Sequence, residues 1–420
     1  MKTKKLNPGD RVSLKTRDKT WKGHILESYD SEIILLKLDS GYNIGIRERE
    51  IIDAKIIEKS KLQEKKESKI TRKEGLKNIA LIMTGGTISS RLDPKTGGVI
   101  PTDAEEILNL APEIKDIANI TKIEKPFMKF SENMDSSDWK KIAETAEPLL
   151  NDDSIDGIII THGTDTLHYT ASALAFFIQE LNKPIALTYS QRSIDRGSTD
   201  ASLNLTCAAK YATSEIAEIA IVGHENENDD ICLVMPATRT RKMHTSARGT
   251  FKIINAKPIA EITKEKLKIK KEFNAKDKKR KIKLDTKFEN KVALIKIHPG
   301  IDPKILDYYE ENQYKGLVIE ATGLGHVPEK GSNNNWLSKI RRLIEKGTKI
   351  TAVPQTLYGR LNPNVYTSGR NLQKTGIIFL RDMLPETALV KLGWVLGHKN
   401  WKNKIKEKLL KNIAGEIAES

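Results

Sequence analysis

The sequence predicts an α/β protein of two lobes with parallel sheets, preceded by a small all-β barrel. Three observations support this fold class. The first 54 residues contain short, partly alternating segments separated by turn signals. From residue 78, short β-branched runs alternate with helical patterns, and a second series of the same kind starts at residue 291. Strands that alternate with helices form largely parallel sheets covered on both faces.

The N-terminal unit, residues 1–54, is predicted to be a barrel of the SH3-like or Sm-like kind. The turn signals NPGD at residues 7–10 and DSGY at residues 39–42 divide it into four or five strands. A unit of this size has little room for an active site, so we expect a docking module. Residues 55–77 follow as a charge-rich stretch with few apolar residues, which predicts a linker.

The first lobe is predicted over residues 78–290. Its clearest helices are WKKIAETAEPLL at residues 139–150 and LHYTASALAFFIQEL at residues 167–181, where apolar residues recur at three- and four-residue spacings. The lobe ends in a Lys-rich segment, residues 263–290. Between residues 264 and 287 this segment carries twelve Lys or Arg against four Asp or Glu. We interpret it as a solvated insertion or hinge, with an RNA-facing patch as the alternative.

The second lobe is predicted over residues 291–420. Its expected strands lie in KVALIKIHPG, YKGLVIEATGLG, TKITAVPQT and GIIFLRDM, and helical patterns such as WLSKIRRLIEKG separate them. The tail from residue 399 has the pattern of a basic amphipathic helix.

Composition limits the class of protein. The formal net charge of +15 is compatible with a nucleic-acid partner or with a bias toward lysine. Two cysteines, Cys207 and Cys232, are too few for a disulfide framework, and both lie in patterns typical of core residues. The sequence has no uncharged apolar run of about 18 residues, and no apolar stretch follows the basic N-terminus. We therefore expect a cytoplasmic protein.

Two turns carry more side-chain chemistry than their geometry requires. Thr84-Gly85-Gly86-Thr87 follows the first strand of the large region, and Thr161-His162-Gly163-Thr164-Asp165-Thr166 follows a later strand. Ligands of open parallel sheets bind at the C-terminal ends of strands, so both turns can meet in one crevice. Thr84 and Thr87 would then face Thr164 and Asp165. The alternative is that these hydroxyls only cap helices. The first turn lacks the spacing of a phosphate-binding loop.

A hydroxyl becomes a good nucleophile only when a base removes its proton. Lys242 is a candidate for this task because it follows the end of an apolar strand, ICLVMP. His162 and His244 are rival bases. Free backbone N–H groups in the glycine-containing turns could hold an anion or stabilise an oxyanion. The residues alone leave open which threonine would be acylated.

The two turns together resemble the paired threonine signature of the L-asparaginase and glutaminase family. The resemblance extends over residues 78–397 and includes RKMHTS, ATGLGHVP and RDMLPETALVKL. It implies that Thr87 is the acylated threonine, and that Thr164, Asp165 and Lys242 form a second catalytic group.

The same resemblance implies a substrate site. Ser131 matches the serine that holds the substrate's α-carboxylate, and Asp165 would also hold the α-ammonium group. Gly86 and Gly163 are expected to border the substrate. Glu132 stands where these enzymes commonly have glutamine, and a carboxylate there could still bind the α-ammonium group. The loop SSRLDPKTGGVIPT lacks the tyrosine that many bacterial asparaginases use.

The N-terminal barrel, the linker, TGGTI and the SEN motif at residues 131–133 resemble the D subunits of archaeal-type glutamyl-tRNA(Gln) amidotransferases. This resemblance implies a glutaminase that supplies ammonia to a partner, the E subunit, which converts Glu-tRNA(Gln) into Gln-tRNA(Gln). ATP and Mg²⁺ would act at the partner, which would also be the main contact of the tRNA. No cofactor or metal is expected in this chain. A homodimer would form the core of a heterotetramer.

Two other functions remain alternatives. One is a stand-alone cytoplasmic L-asparaginase with an accessory barrel, which amide preference would distinguish. The other is a tRNA-binding scaffold with a vestigial amidase site, which would bind tRNA with a steep salt dependence and release no ammonia. The presence of Thr87, Thr164, Asp165 and Lys242 argues against the scaffold.

Overall fold

The computed structural model describes most of the 420-residue chain, and everything below concerns that part. It covers residues 6–7, 9–26, 28, 32–40, 42–59, 72–92, 99–101, 109, 111–194 and 197–418, with only the backbone for residues 90–92 and 99–101. Within these ranges no helix is long and apolar enough to cross a membrane.

The N-terminal unit is a five-stranded antiparallel sheet with the strand order β4-β3-β2-β1-β5. Its strands are β1 (Arg11–Lys15), β2 (Thr20–Leu26), β3 (Ile33–Leu38), β4 (Asn43–Arg47) and β5 (Asp53–Glu58). Val12, Leu14 and Leu36 are fully buried at its centre. The all-β prediction is confirmed, whereas closure into an SH3-like or Sm-like barrel stays a prediction.

The last strand of this unit crosses the boundary predicted at residue 54. β5 continues to Glu58 because Ile56 pairs with Val12 and packs against the same small core. The pair Ile56–Ile57 lies between Lys55 and Glu58 in a charge-rich stretch, which hides this apolar contribution in the sequence. Residues 60–71 of the predicted linker lie outside the described residues.

The first lobe is built on an eight-stranded mixed sheet with the order β17-β16-β13-β12-β11-β10-β6-β9. Its strands are β6 (Lys77–Met83), β9 (Ala118–Glu124), β10 (Gly157–Thr161), β11 (Ile185–Thr188), β12 (Ile219–His224), β13 (Ile231–Pro236), β16 (Ala260–Thr263) and β17 (Leu267–Ile269). Two hairpins complete it, β7 (Ser90–Leu92) with β8 (Val99–Pro101) and β14 (Thr240–Lys242) with β15 (Phe251–Ile253).

Part of this sheet differs from the predicted parallel arrangement. The five strands from β9 to β12 across the sheet are parallel, but β13, β16 and β17 are antiparallel to their neighbours. β12 ends at His224 and β13 starts at Ile231. A connection this short joins antiparallel strands, because a parallel crossover needs a dozen or more residues.

In the part of this lobe that the structure describes, three long helices cover the sheet: α1 (Ser136–Asn151), α2 (Leu167–Phe177) and α3 (Ala201–Ala212). α1 starts at a capping box in which Asp135 and Asp138 bind each other's backbone N–H groups. α2 ends four residues before the predicted end at residue 181. Ile178 there leaves the helix to form a β-bridge with Leu284, and Glu180 adopts a φ of 52°. Cys207 and Cys232 are free and buried, which confirms their interpretation as core residues.

The second lobe has a four-stranded parallel sheet, β18-β19-β20-β21. Its elements are β18 (Val292–Lys296), α4 (Ile305–Glu311), β19 (Gly316–Ala321), α5 (Leu337–Glu345), β20 (Lys349–Pro354), α6 (Thr367–Gln373), β21 (Ile378–Phe379), α7 (Pro385–Leu396) and α8 (Ile405–Leu410). α7 packs against α2, with the rings of Trp394 and Phe176 stacked 5.7 Å apart, so the two lobes share one hydrophobic core.

The tail is not the long helix that its pattern predicts. In the described part of the tail, helical structure consists of a 3₁₀ turn at Lys399–Trp401 and the short α8, and the chain then turns back so that Glu416 becomes fully buried. There its carboxylate meets the ammonium group of Lys391, which is also fully buried, and accepts hydrogen bonds from the backbone of Ile413 and Ala414. A buried ion pair of this kind depends on tertiary contacts that a local pattern does not reveal.

The Lys-rich segment 263–290 is attached to the first lobe at several points, although much of it is exposed as the predicted solvated insertion would be. β17 extends the sheet of the first lobe, and Ala275 forms a β-bridge with Ile216. The side chain of Lys276 is only 4% exposed and its ammonium lies 2.9 Å from Asp156. Asp156 immediately precedes β10, so this segment crosses the N-terminal ends of the strands.

The environment of Asp156 predicts that the folded protein loses stability at acidic pH. Burial opposes its ionisation, but hydrogen bonds from Lys276, Lys278 and the backbone of Asn78 outweigh burial and lower its pKa from 3.8 to about 2. A pKa below the unfolded value contributes stability that is complete above about pH 5 and is lost as the pH falls. We expect Asp156→Asn to reduce the free energy of unfolding at pH 7 by about 1–3 kcal/mol.

Urea unfolding measured at several pH values tests this expectation. Between about pH 5 and pH 2 the stability of Asp156→Asn should fall less steeply than that of the wild type. Asp153→Asn is the control, because Asp153 pairs with Lys281 while its side chain is 76% exposed. Equal pH profiles for wild type and Asp156→Asn would contradict the proposed role of this carboxylate.

Candidate active site

The two threonine-containing turns lie side by side. β6 and β10 are adjacent parallel strands, and each turn follows the C-terminal end of one of them. β9 is the next strand of this sheet along the chain and lies on one side of β6. β10 follows β9 along the chain and lies on the other side of β6. The strand order therefore reverses between β6 and β10, which is the position where open sheets form a binding crevice.

The glycines allow the turns to touch through their backbones. Gly86 has a φ of 81°, and a Cβ atom there would lie 2.3 Å from the backbone nitrogen of Gly163. Gly85 has a φ of 115°, and its Cβ would lie 2.2 Å from the carbonyl oxygen of Lys129. Both positions therefore exclude any side chain, for conformational and steric reasons. The close approach fixes the spacing of the two turns.

Ser131 joins the second turn to a third segment. It begins a short 3₁₀ turn at Ser131–Asn133 and is buried. Its hydroxyl accepts a hydrogen bond from the backbone N–H of Asp165 at 3.2 Å, and its carbonyl accepts one from the hydroxyl of Thr166 at 2.6 Å. A Cβ on Gly163 would lie 2.7 Å from the Ser131 hydroxyl, so only glycine fits beside this serine. The sequence analysis did not give Thr166 this role.

Lys242 lies at the end of β14 and reaches the second turn. Its ammonium group donates to the hydroxyl of Thr164 at 2.8 Å and to the carboxylate of Asp165 at 2.7 Å. The lysine side chain is 14% exposed, whereas that of Asp165 is 59% exposed. The three groups can therefore exchange protons, and the aspartate still has room to contact a ligand in the crevice.

Thr87 and Thr84 differ in what their hydroxyls contact. Thr87 is half-buried, and its hydroxyl makes no hydrogen bond within the described ranges. Thr84 is fully buried, and its hydroxyl donates to the carbonyl of Thr161 at 2.8 Å. The expectation that Thr84 faces Asp165 is therefore wrong, because Thr84 is used to join the two strand ends. Thr87 has a hydroxyl available for chemistry.

Two backbone N–H groups are also available. Neither the N–H of Thr87 nor that of Thr164 has an acceptor in the part of the chain that the structure describes. Such donors can stabilise an oxyanion if they point at the reacting carbonyl.

The candidate histidine bases have structural contacts instead. His162 is fully buried, and burial lowers its pKa to about 4, so it is neutral at pH 7. Its Nδ1 donates to the carbonyl of Gly163 and its Nε2 accepts from the hydroxyl of Thr170. The Nδ1 of His244 accepts from the backbone of Ser246 and Ala247. Neither ring reaches Thr164.

Glu132 is adjacent to Ser131 but is exposed, and its carboxylate has no partner among the residues with described positions. Its predicted contact with a substrate's α-ammonium group stays a prediction. Half of the loop SSRLDPKTGGVIPT, residues 93–98 and 102, lies outside the described residues. Over the described residues, no three His, Cys, Asp or Glu side chains could hold a metal ion.

The sequence analysis missed the residues that hold the strand of Lys242. Arg239 is almost fully buried and donates to the carbonyl of Asp382 at 3.0 Å and to its carboxylate at 2.7 Å. Arg241 lies 3.2 Å from the carboxylate of Glu386. Both acidic partners belong to the second lobe, so this lobe positions Lys242. No short motif signals these pairs, which are far apart in sequence.

Known protein families match three consecutive parts of the chain. The GatD N-terminal domain matches residues 6–57, the N-terminal asparaginase domain residues 78–275, and the glutaminase/asparaginase C-terminal domain residues 291–409. The D subunit of the glutamyl-tRNA(Gln) amidotransferase of Thermococcus kodakarensis is 45% identical over 98% of this chain and 94% of its own. The chain belongs to this family of amidotransferase D subunits.

Other D subunits of this family have similar identities. The proteins of the same name from Pyrococcus abyssi and Methanococcus maripaludis are 42% and 40% identical, over 99% and 98% of this chain and 96% and 98% of theirs. Among solved structures, the thermostable L-asparaginase from T. kodakarensis has a TM-score of 0.74 at 29% identity, and L-asparaginase I from Vibrio cholerae has 0.70 at 26%. In both comparisons the match covers 82% of this chain and the complete asparaginase chain. This member of the D-subunit family is therefore longer than a plain asparaginase.

Proposed function

We propose that this chain is the glutamine-hydrolysing subunit of a tRNA-dependent amidotransferase. It releases ammonia from glutamine, and the E subunit of the complex uses this ammonia to convert Glu-tRNA(Gln) into Gln-tRNA(Gln). The observation that carries the proposal is the ammonium of Lys242, which binds both Thr164 and Asp165 in the crevice where the Thr87 hydroxyl is available. Membership in the family of D subunits supports the partner complex.

The proposed reaction has two acyl-transfer steps. The hydroxyl of Thr87 attacks the side-chain amide carbon of glutamine, and its proton reaches the amide nitrogen through Lys242 and Thr164. The carbon–nitrogen bond breaks, ammonia leaves, and a glutamyl ester remains on Thr87. Water then attacks the ester, giving its proton back to the threonine oxygen and releasing glutamate. The N–H groups of Thr87 and Thr164 stabilise the oxyanion in both steps.

The substrate is held by groups around the turns. Ser131 binds the α-carboxylate, and the exposed carboxylate of Asp165 binds the α-ammonium group. Glu132 adds a second negative charge near this ammonium, and Gly86 and Gly163 border the substrate through their backbone atoms. This part of the reaction uses no cofactor. ATP and Mg²⁺ act on the partner, where they activate the glutamyl group of the tRNA.

The proposed assembly is a homodimer of this chain joined to two copies of the E subunit in the cytoplasm. The alternative function is a stand-alone L-asparaginase, which the likeness to L-asparaginases of known structure favours. The match of residues 6–57 to the GatD N-terminal domain favours the amidotransferase.

Ammonia release from glutamine and from asparagine tests the proposal. It should be measured with the chain alone and with the E subunit, ATP and glutamyl-tRNA(Gln). We expect glutamine hydrolysis to increase sharply when the charged tRNA and the partner are present. Equal hydrolysis with and without the partner, with a preference for asparagine, would instead identify an asparaginase.

A further inference from the structure

We infer that two adjoining segments, residues 276–287 and 399–411, form a surface that binds the phosphate backbone of RNA. We call this surface the basic face. The first segment contains seven Lys or Arg and two Asp, and the second contains six Lys and one Glu. The inference rests on the proposed function only for the choice of RNA over other polyanions.

Contacts around α7 bring the two segments together. The ring of His398 binds the carboxylate of Asp285 at 2.7 Å, and the indole N–H of Trp394 donates to the carbonyl of Asp285 at 2.9 Å. A Cβ on Gly397 would lie 2.7 Å from the carbonyl carbon of Lys287. Trp401 stacks on His398 with ring centres 3.7 Å apart. The basic face is thus formed by packed chain rather than by a free tail.

Some cations of the basic face are already neutralised. Lys276 and Lys278 both pair with Asp156, and Lys281 pairs with Asp153. These ion pairs attach the first segment to the lobe.

Most of the remaining cations are unpaired. Eight lysines have no ion-pair partner in the described ranges: Lys279, Lys283, Lys399, Lys402, Lys404, Lys406, Lys408 and Lys411. All are exposed except Lys408, which is half-buried with its ammonium 4.9 Å from the ring centre of Trp401. Unpaired lysines on a fixed surface bind phosphates and release the counterions that surround a nucleic acid.

The composition of the basic face favours a nucleic acid over a protein partner. The large hydrophobic residues that are exposed in the described ranges, such as Tyr358 and Tyr366, all lie outside both segments. Protein interfaces are enriched in aromatic residues and Met and depleted in Lys, which is the opposite of this composition. Interfaces with nucleic acids are strongly positive.

The position of the basic face is compatible with simultaneous glutamine hydrolysis. Its first segment crosses the N-terminal ends of the strands, where Asp156 precedes β10. The candidate active site lies at the C-terminal ends of the same strands. RNA bound to the basic face therefore leaves the crevice open.

Binding of a fluorescent unmodified tRNA transcript to the full chain tests the inference. The variant carries Lys402→Gln, Lys404→Gln and Lys406→Gln together. We expect at least about tenfold weaker binding at about 50 mM salt, and a salt slope of log Kd that is shallower by about 2–3 because three phosphate contacts are lost. The control carries Lys304→Gln, Lys330→Gln and Lys374→Gln, three exposed, unpaired lysines of the second lobe, and should bind within about twofold of wild type.

Other results would overturn the inference. If both triple variants bound the tRNA transcript equally weakly, net charge alone would explain binding. If the Lys402→Gln, Lys404→Gln, Lys406→Gln variant bound it as tightly as wild type, the basic face would not be the RNA-binding surface. If the same variant kept its affinity for RNA but lost binding to polyglutamate, the basic face would bind an acidic protein instead of RNA. Glutamine hydrolysis should be unchanged in both variants, so failure of RNA binding and failure of the proposed amidase activity can be separated.

Discussion

Replacing Thr87 by valine is expected to reduce glutamine hydrolysis by about 10³-fold or more, because the hydroxyl that we propose as the nucleophile is lost. Valine has nearly the same shape as threonine, and the Thr87 hydroxyl makes no hydrogen bond in the described part of the chain. The free energy of unfolding should therefore change by less than about 0.5 kcal/mol. Initial rates of ammonia release and thermal unfolding measure the two effects.

Thr84→Val is the matched control within the same motif. Its hydroxyl is buried and bonded to the carbonyl of Thr161. This variant should lose about 0.5–1.5 kcal/mol of stability while keeping a rate within about tenfold of wild type. The opposite pattern, with Thr87→Val active and Thr84→Val inactive, would reassign the nucleophile. A glutamine analogue with an electrophilic side chain, located by mass spectrometry, would identify the modified threonine directly.

Replacing Lys242 by methionine is expected to reduce kcat by about 10²–10⁴-fold, because the proposed mechanism uses its amine to move protons between Thr164 and the substrate. Methionine fills a similar volume, so the β14–β15 hairpin should remain folded. KM for glutamine should change only severalfold, since Ser131 and Asp165, the proposed substrate-binding residues, are unchanged. Steady-state kinetics over a range of pH values separate these two effects.

Lys252→Met is the control for loss of a lysine in this hairpin. Lys252 lies on β15 opposite Arg241, is exposed, and donates to the carbonyl of Glu225 at 2.6 Å. The rate of glutamine hydrolysis by the Lys252→Met variant should stay within about twofold of wild type, because surface substitutions have small effects. A Lys242→Met enzyme with normal kcat would show that another group carries the protons.

The main parts of the candidate site could be predicted because a short sequence pattern marks each of them. Both turns follow apolar runs, and their threonines and glycines exceed what a connection needs. Lys242 follows the end of a strand, so its location was also accessible to prediction. Side chains at the ends of neighbouring strands meet for reasons of topology alone. The different contacts of Thr84 and Thr87 were not predictable, since the residues share a motif and a chemistry.

The parts that could not be predicted depend on partners distant in sequence. Glu416 lies in a stretch that resembles an amphipathic helix, yet it is buried against Lys391. Lys276 looks in the sequence like one of many solvated lysines, yet its side chain is buried and forms an ion pair with Asp156. Charged residues are almost never buried without a partner, and a single sequence does not say where the partner lies.

The contact between Gly86 and Gly163 also limits how this protein can evolve. A Cβ atom at position 86 would meet the backbone of the second turn at Gly163, and one at position 163 would meet Ser131, so each glycine is required by a neighbour that is distant in sequence. A change at one of them cannot be accommodated by its own loop. New amide specificities are therefore more accessible through exposed residues next to the turns, such as Glu132, where a different side chain meets no steric barrier of this kind.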